Sequence, residues 1–201
     1  SLVGSEMCIR DRAGDFTEDY ETMVPFQALS MLGYQVDAVC PGKKAGEFIK
    51  TAIHDFEGDQ TYTEKPGHLF KLTKTFDEVD FDEFDMVVLP GGMPGTLNLK
   101  NHDGVRYVVK QYAKEGRYVG AICAAPTILK SLGVLEGRRA TCYPSVEDEM
   151  EDVVLTETAV VVDENIITSQ GVGTAIDFGL KLIEILDGEE KAKEIADSIV
   201  F

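Results

Sequence analysis

The chain has 201 residues, 44% hydrophobic and 27% charged, which suits one globular domain able to bury a core. Its formal net charge of −17 argues against nucleic acid or an anionic membrane as partner, since like charges repel over a Debye length. Cys8, Cys40, Cys123 and Cys142 are too widely spaced for a CxxC metal site or a disulfide framework, so reduced thiols in the cytoplasm are expected. No apolar run approaches the length of a membrane span.

Residues 1–13 differ in character from the rest of the chain. Glu6, Arg10, Asp11 and Arg12 would be poor company in a central buried strand. They are expected to form an atypical leader, foreign or replacing a first strand, ahead of a single domain over 14–201. Residues 14–22 read as a loop entering a helix, capped by Thr17 or Asp19, with Glu18, Asp19 and Glu21 at its positive end. Met23, Phe26, Leu29 and Leu32 mark its apolar face, and Gly33 closes it. Residues 34–40 alternate and predict a strand. From Pro41 to Phe76, turn signals at Pro41-Gly42, Gly58-Asp59 and Pro66-Gly67 separate short extended pieces, expected as hairpins over the main sheet. The carboxylate-rich stretch from Asp77 to Asp85 reads as a solvated helical turn.

Residues 86–90 form a continuous apolar run ending at Pro90-Gly91-Gly92, as in a buried parallel sheet. A helix is expected over 104–114, with Val105, Val108 and Val109 inward. A strand over 118–122, a helix over 124–131 and a short strand over 140–143 come next. Residues 153–155, 159–162 and 166–169 read as extended, with a turn at 163–165. From Gly173 onward Ile176, Leu180, Ile183 and Leu186 recur at helical spacing; Gly188 interrupts, and a last helix starts at Glu189. Strands alternating with helices predict an α/β fold: a doubly wound, mostly parallel sheet with helices on both faces, a flavodoxin-like three-layer sandwich.

In such a fold reactive groups collect beyond the carboxyl ends of the strands. Cys123 lies at one such end, between an apolar strand and a helix rich in small residues, as a sharp elbow requires. A thiol at a helix N-terminus is expected to have a lowered pKa and to act as a nucleophile. The same residue also reads as a small buried hydrophobe of the core. Gly91-Gly92 can turn backbone N–H groups toward a reacting oxygen, and the N–H of Ala124 would be a second donor. Glu21 reads equally as a first-turn carboxylate favoured by the helix dipole.

Four stretches occur in order: Glu-Asp-Tyr-Glu-Thr-Met-Val-Pro over 18–25, Val-Leu-Pro-Gly-Gly over 88–92, Ala-Ile-Cys-Ala-Ala-Pro-Thr over 121–127, and Ile-Thr-Ser-Gln-Gly-Val-Gly-Thr over 167–174. Together they resemble the ThiJ/PfpI superfamily, the family of the parkinsonism-associated deglycase, with its class I glutamine amidotransferase-like fold. The resemblance runs from Gly14 to the C-terminal helix. It implies Cys123 as nucleophile, Glu21 as its acidic partner, and Gly92 and Ala124 as oxyanion donors. It also implies a homodimer that needs no metal and no cofactor.

Two departures bear on the chemistry. The residue after the nucleophile is His in the PfpI-type hydrolases and Ala124 here. The His that many ThiJ-type members carry after the following strand is matched by Tyr143. His54 and His68 lie in the irregular region that could fold over the site, and His102 reads as a surface-loop residue. His54 and Tyr143 are therefore the candidate additional site residues. The resemblance points to a glyoxalase or deglycase acting on a small 2-oxoaldehyde such as methylglyoxal. A redox-sensing or chaperone-like protein with an oxidisable Cys123 is the alternative, a catalytically dead member is another, and Ala124 argues against a PfpI-type peptidase.

Overall fold

The computed structural model describes residues 15–57 and 63–201; the expected leader over 1–13 and the Gly58-Asp59 turn lie outside them. Helix α1 (Asp19–Met31) starts where the Glu18 carboxylate accepts the Glu21 N–H at 2.8 Å. The cap is thus neither Thr17 nor Asp19. Both are engaged elsewhere: Thr17 with the Thr22 hydroxyl, and Asp19 with Thr51 and His68.

Residues 34–40 form no strand, against expectation. A strand needs a ladder as well as an alternating pattern. Here the segment is tied instead at Ala38, whose backbone bonds to Thr73 and Lys74 of a later turn. The expected short hairpins are one long hairpin, β1 (Phe48–Asp55) and β2 (Thr63–Lys71), antiparallel with a bulge between Lys50 and Ala52. It docks beside the start of α1 through Phe16 N–H to Lys50 O (2.6 Å) and Ala52 N–H to Thr17 O (2.8 Å). The acidic stretch forms two 3-10 turns, Phe76–Glu78 and Phe81–Glu83, largely in solvent.

The main sheet begins with β3 (Met86–Leu89). Helix α2 (Met93–Lys100) comes at once after it, with no local sign of it in the sequence. Met-Pro-Gly after Gly91-Gly92 reads as more turn, yet Pro94 is tolerated in a first helical turn. Gly95 is needed because a Cβ there would lie 2.9 Å from the Thr17 nitrogen. Helix α3 (Asp103–Glu115) buries Val105, Val108, Val109 and Tyr112. Strand β4 (Tyr118–Ile122) leads to helix α4 (Pro126–Ser131), two residues later than expected because 123–125 form a tight turn. The expected strand over 140–143 is only β5 (Arg139–Ala140), paired with β6 (Val154–Leu155). Beyond Ala140 the chain leaves the ladder, and the Thr141 N–H goes to the Thr168 hydroxyl instead (2.9 Å).

Strands β7 (Val160–Asp163) and β8 (Ile166–Ser169) complete a sheet of order β3-β4-β8-β7, parallel except for β7. Helices α5 (Ala175–Asp187) and α6 (Glu189–Ser198) close the described fold. Helix α5 packs against α1, where a Cβ on Gly179 would lie 3.0 Å from Ala28 Cβ. Its Phe178 covers Gly120 of β4, while α3 packs on β3 and β4. Every residue of β8 is buried, as in a sheet covered on both faces. In β3, by contrast, Met86, Val87 and Val88 are only partly covered. The carboxyl ends of β3, β4 and β8 converge with the start of α1.

Candidate active site

Strand β4 ends at Ile122, and Cys123 comes next with φ of +64°, a left-handed conformation rare for any residue but glycine. Two hydrogen bonds fix it: its N–H to Ser169 O and its carbonyl to the Tyr143 N–H, both 2.9 Å. Ala124 and Ala125 leave room for the backbone to double back, the geometry of an elbow that presents a side chain above a sheet. The thiol is buried, with the residue 3% exposed.

Glu21, in the first turn of α1, is 1% exposed. Its Oε2 accepts the Gly91 N–H at 3.0 Å, and its carboxyl is hydrogen-bonded to Cys123. Burial, then the neighbouring Glu21 charge, push the Cys123 thiol well above its ordinary range; the N–H groups of Gly92 and Ala124 pull the other way. The expected lowering is therefore overturned. Helix α4 is short and starts beyond the thiol, so desolvation outweighs its dipole.

The hairpin supplies what the elbow lacks. One ring nitrogen of His54, from β1, lies within 4.8 Å of both the Cys123 sulfur and a Glu21 carboxylate oxygen. Both His54 ring nitrogens are buried and make no hydrogen bond among the described residues. Burial lowers its pKa from 6.5, so the ring is neutral at neutral pH. Tyr143 stacks on it at 6.2 Å between centroids, and Phe56 flanks it at 5.8 Å. Both additional candidates, His54 and Tyr143, are thus brought to Cys123, Glu21, Gly92 and Ala124. His68 does not join that cluster but lines the mouth beside it, its exposed ring pairing with the buried Asp19 carboxylate at 2.9 Å. Nor is His102 a simple loop residue, since it caps α3 and packs edge-on against Phe76.

A mouth of about 570 Å³ reaches this cluster at His54 and Tyr143, and Tyr20, Ile53, Phe56 and Val172 also line it. Sequence reasoning does not find Tyr20, Phe56 or the Asp19–Thr51–His68 clamp that ties the hairpin to α1. These meet only through long-range docking of β1 on α1, which no local pattern encodes. The sulfur, imidazole and carboxylate would also make a three-donor set for a metal ion.

This architecture defines a class: a doubly wound α/β protein carrying a buried thiol on a strand-to-helix elbow beside a carboxyl group. The model of the DJ-1/PfpI family matches residues 12–185. The chain belongs to that family. It is 50% identical over 147 residues to Protein DJ-1 homolog D of Arabidopsis thaliana, covering 73% of this chain and 37% of that protein. It thus spans well under half the length of that relative. The glutathione-independent glyoxalase DJR-1.2 of Caenorhabditis elegans is 38% identical over 114 residues, covering 56% of this chain and 60% of the relative. Among solved structures, Drosophila melanogaster DJ-1beta matches with a TM-score of 0.78 at 30% identity, covering 92% of this chain and 93% of that one. Oxidised Toxoplasma gondii DJ-1 matches with a TM-score of 0.79 at 28% identity, covering 93% and 94%. The expected family and flavodoxin-like fold are both borne out.

Proposed function

We propose that the chain is a glyoxalase- or deglycase-type enzyme that acts on small 2-oxoaldehydes such as methylglyoxal, with Cys123 as nucleophile and no cofactor. The observation that carries this reading is the convergence of the Cys123 sulfur, the Glu21 carboxyl and a His54 ring nitrogen within 4.8 Å, with His54 lining an apolar mouth. The glyoxalase activity in the name of the nematode relative supports it. A homodimer in the cytoplasm is the matching assembly and compartment.

In the proposed reaction the Cys123 thiol passes its proton to Glu21 as the substrate enters, which leaves a thiolate on Cys123. The sulfur adds to the aldehyde carbon as the C=O π bond opens, and the resulting oxygen takes the proton from Glu21 to give a hemithioacetal. The N–H groups of Gly92 and Ala124, which already face the sulfur, stabilise charge on that oxygen. Neutral His54 or ionised Glu21 removes the C1 proton, and one returns to C2 through an enediol. The product is a thioester of the 2-hydroxy acid. Water hydrolyses it, releasing lactate and restoring the thiol, so methylglyoxal plus water gives lactate with no net oxidation.

Proton sharing has its own test. Iodoacetamide alkylation of Cys123 in the wild type is expected to vary little between about pH 6 and pH 8, because the thiolate forms without losing a proton to solvent. In Glu21→Gln the buried thiol must give its proton to water, and the rate is expected to rise roughly tenfold per pH unit. Peptide mapping separates this signal from Cys142, which burial pushes to about 11. A wild-type profile as steep as the variant's would rule out sharing.

His54→Phe keeps an aromatic ring against Tyr143 and sacrifices no hydrogen bond, since the imidazole nitrogens make none among the described residues. Its lactate formation is expected to fall about 100-fold, the usual scale of general acid–base catalysis, with a Tm within about 2 °C of wild type. An unchanged rate would remove His54 from the chemistry.

A further inference from the structure

The hairpin that brings His54 to the active site is irregular at one point, and that point faces the start of α1. Lys50 of β1 pairs with Leu69 of β2, and Ala52 pairs with Pro66, so Thr51 alone stands opposite both Gly67 and His68. A bulge of this kind bends the strands and re-aims side chains near it. Strict alternation from the buried Ile49 and Thr51 would bury Ile53 and expose His54. The reverse is found: Ala52 is buried beside Thr51, Ile53 is 42% exposed, and both His54 ring nitrogens are out of solvent. The buried side of β1 therefore changes at the bulge, just ahead of His54.

Three side chains hold the bulge in place. The His68 N–H donates to Thr51 Oγ1 at 2.8 Å, a side-chain acceptor where a regular ladder would offer a carbonyl. The Thr51 hydroxyl donates in turn to Asp19 Oδ1, and Asp19 Oδ2 meets His68 Nδ1 at 2.9 Å. One carboxylate at the first residue of α1 thus grips both strands of the hairpin. Asp19 and Thr51 are buried, whereas the His68 side chain is 69% exposed, so the carboxylate and not burial fixes that ring. A Cβ on Gly67 would lie 2.5 Å from Thr51 Oγ1, and glycine is what lets the hydroxyl approach.

We propose that Asp19, Thr51 and His68 are positioning residues of the active site, which set the bend of the hairpin and so hold His54 against Cys123 and Glu21. His54 makes no hydrogen bond of its own among the described residues. Its place depends on the backbone that carries it and on ring contacts with Phe56 and Tyr143. Asp19 precedes Glu21 by two residues on α1, and Thr51 precedes His54 by three on β1, so the clamp joins the two elements close to the groups they deliver. A carboxylate buried this deeply is costly when unpaired, and losing a partner is expected to move the hairpin. The catalytic meaning of this placement rests on the role of His54 in the proposed function.

Thr51→Val keeps the side-chain shape but removes the hydroxyl, leaving the Asp19 carboxylate and the His68 N–H each short of a partner. Carbethoxylation of His54 by diethyl pyrocarbonate, located by peptide mapping, is expected to run at least about tenfold faster in this variant than in the wild type. Thr51→Ser, which keeps the hydroxyl, is expected to stay within about threefold of wild type. Lactate formation is expected to fall about 30-fold in Thr51→Val. Added to His54→Phe, the same change should lower it by less than about twofold, because Thr51 acts through His54. A general loss of packing would instead lower both backgrounds alike, and that result would overturn the proposal. If Thr51→Val does not fold, His68→Ala, at an exposed ring, removes only the second partner of Asp19. It is expected to speed His54 modification at least about threefold. Unchanged modification of His54 in Thr51→Val, or in His68→Ala should the former not fold, would also overturn the proposal. Faster modification with unchanged lactate formation would uphold the placement and remove only the catalytic role of His54, so the two readings fail separately.

Discussion

Cys123→Ala is expected to lower lactate formation from methylglyoxal by at least about a thousandfold, to the rate of buffer alone. The sulfur forms the only covalent bond to substrate in the proposed cycle, and the neighbouring thiol, Cys142, is buried and held largely protonated. Loss of the sulfur removes the hemithioacetal, and with it the acidity of the C1 proton. Glu21 and His54 would remain with nothing to act on. The variant should fold, because alanine keeps the Cβ and both elbow hydrogen bonds come from the backbone. An unchanged circular dichroism spectrum with no lactate by enzymatic assay is the expected pair of results. Undiminished turnover would end the assignment.

Gly91→Ala is expected to be nearly as damaging, although the residue does no chemistry. A Cβ at this point would lie 2.6 Å from Cys123 Cβ and 2.9 Å from Ile122 O. It would also crowd the Glu21 oxygen that the Gly91 N–H holds. Neither neighbour can retreat, since both are buried and the elbow is pinned by Ser169 and Tyr143. Overpacking of this kind costs about 1–3 kcal/mol, so Tm is expected to fall by around 5 °C. Separating the sulfur from the carboxyl by even about 1 Å should reduce turnover about 100-fold. Gly116→Ala provides the contrast. Its φ of +76° makes alanine strained, but no atom lies within 4 Å of the added carbon. That variant should lose stability and keep its activity, as melting curves and the lactate assay on the same samples would show.

Where local pattern decides structure, the sequence is sufficient. The apolar runs of β3, β4 and β8, the valine face of α3 and the helical spacing in α5 are all legible as periodicity. The end of a buried strand at Cys123 is legible too, but pattern alone leaves an elbow thiol and a small buried hydrophobe as equal readings. The segment 34–40 shows the limit: its alternation is genuine, but a ladder needs a neighbour that no local window contains. Helix α2 is hidden because its glycine exists for packing against Thr17 and not for a turn. In the site, Cys123, Glu21, Gly92 and Ala124 stand in motifs, whereas the role open to His54 depends on where a hairpin docks. The direction of the thiol's pKa is illegible for a related reason. A helix dipole can be read from sequence, but burial can be measured only once the chain is folded.

The left-handed backbone at Cys123 has a consequence for how this position is maintained over generations. A residue with a side chain held at φ of +64° carries strain on the order of 1–3 kcal/mol, and glycine would adopt the same turn without it. Selection for thermal robustness alone would therefore favour glycine there. Under the proposed reaction, selection for reactivity would favour the sulfur at the apex of the turn. The strain is held by a fully buried surround, with Ile122, Ala125 and Ile128 at zero exposure. A lineage that no longer needed the reaction would be free to shed the cysteine and gain stability in the same step.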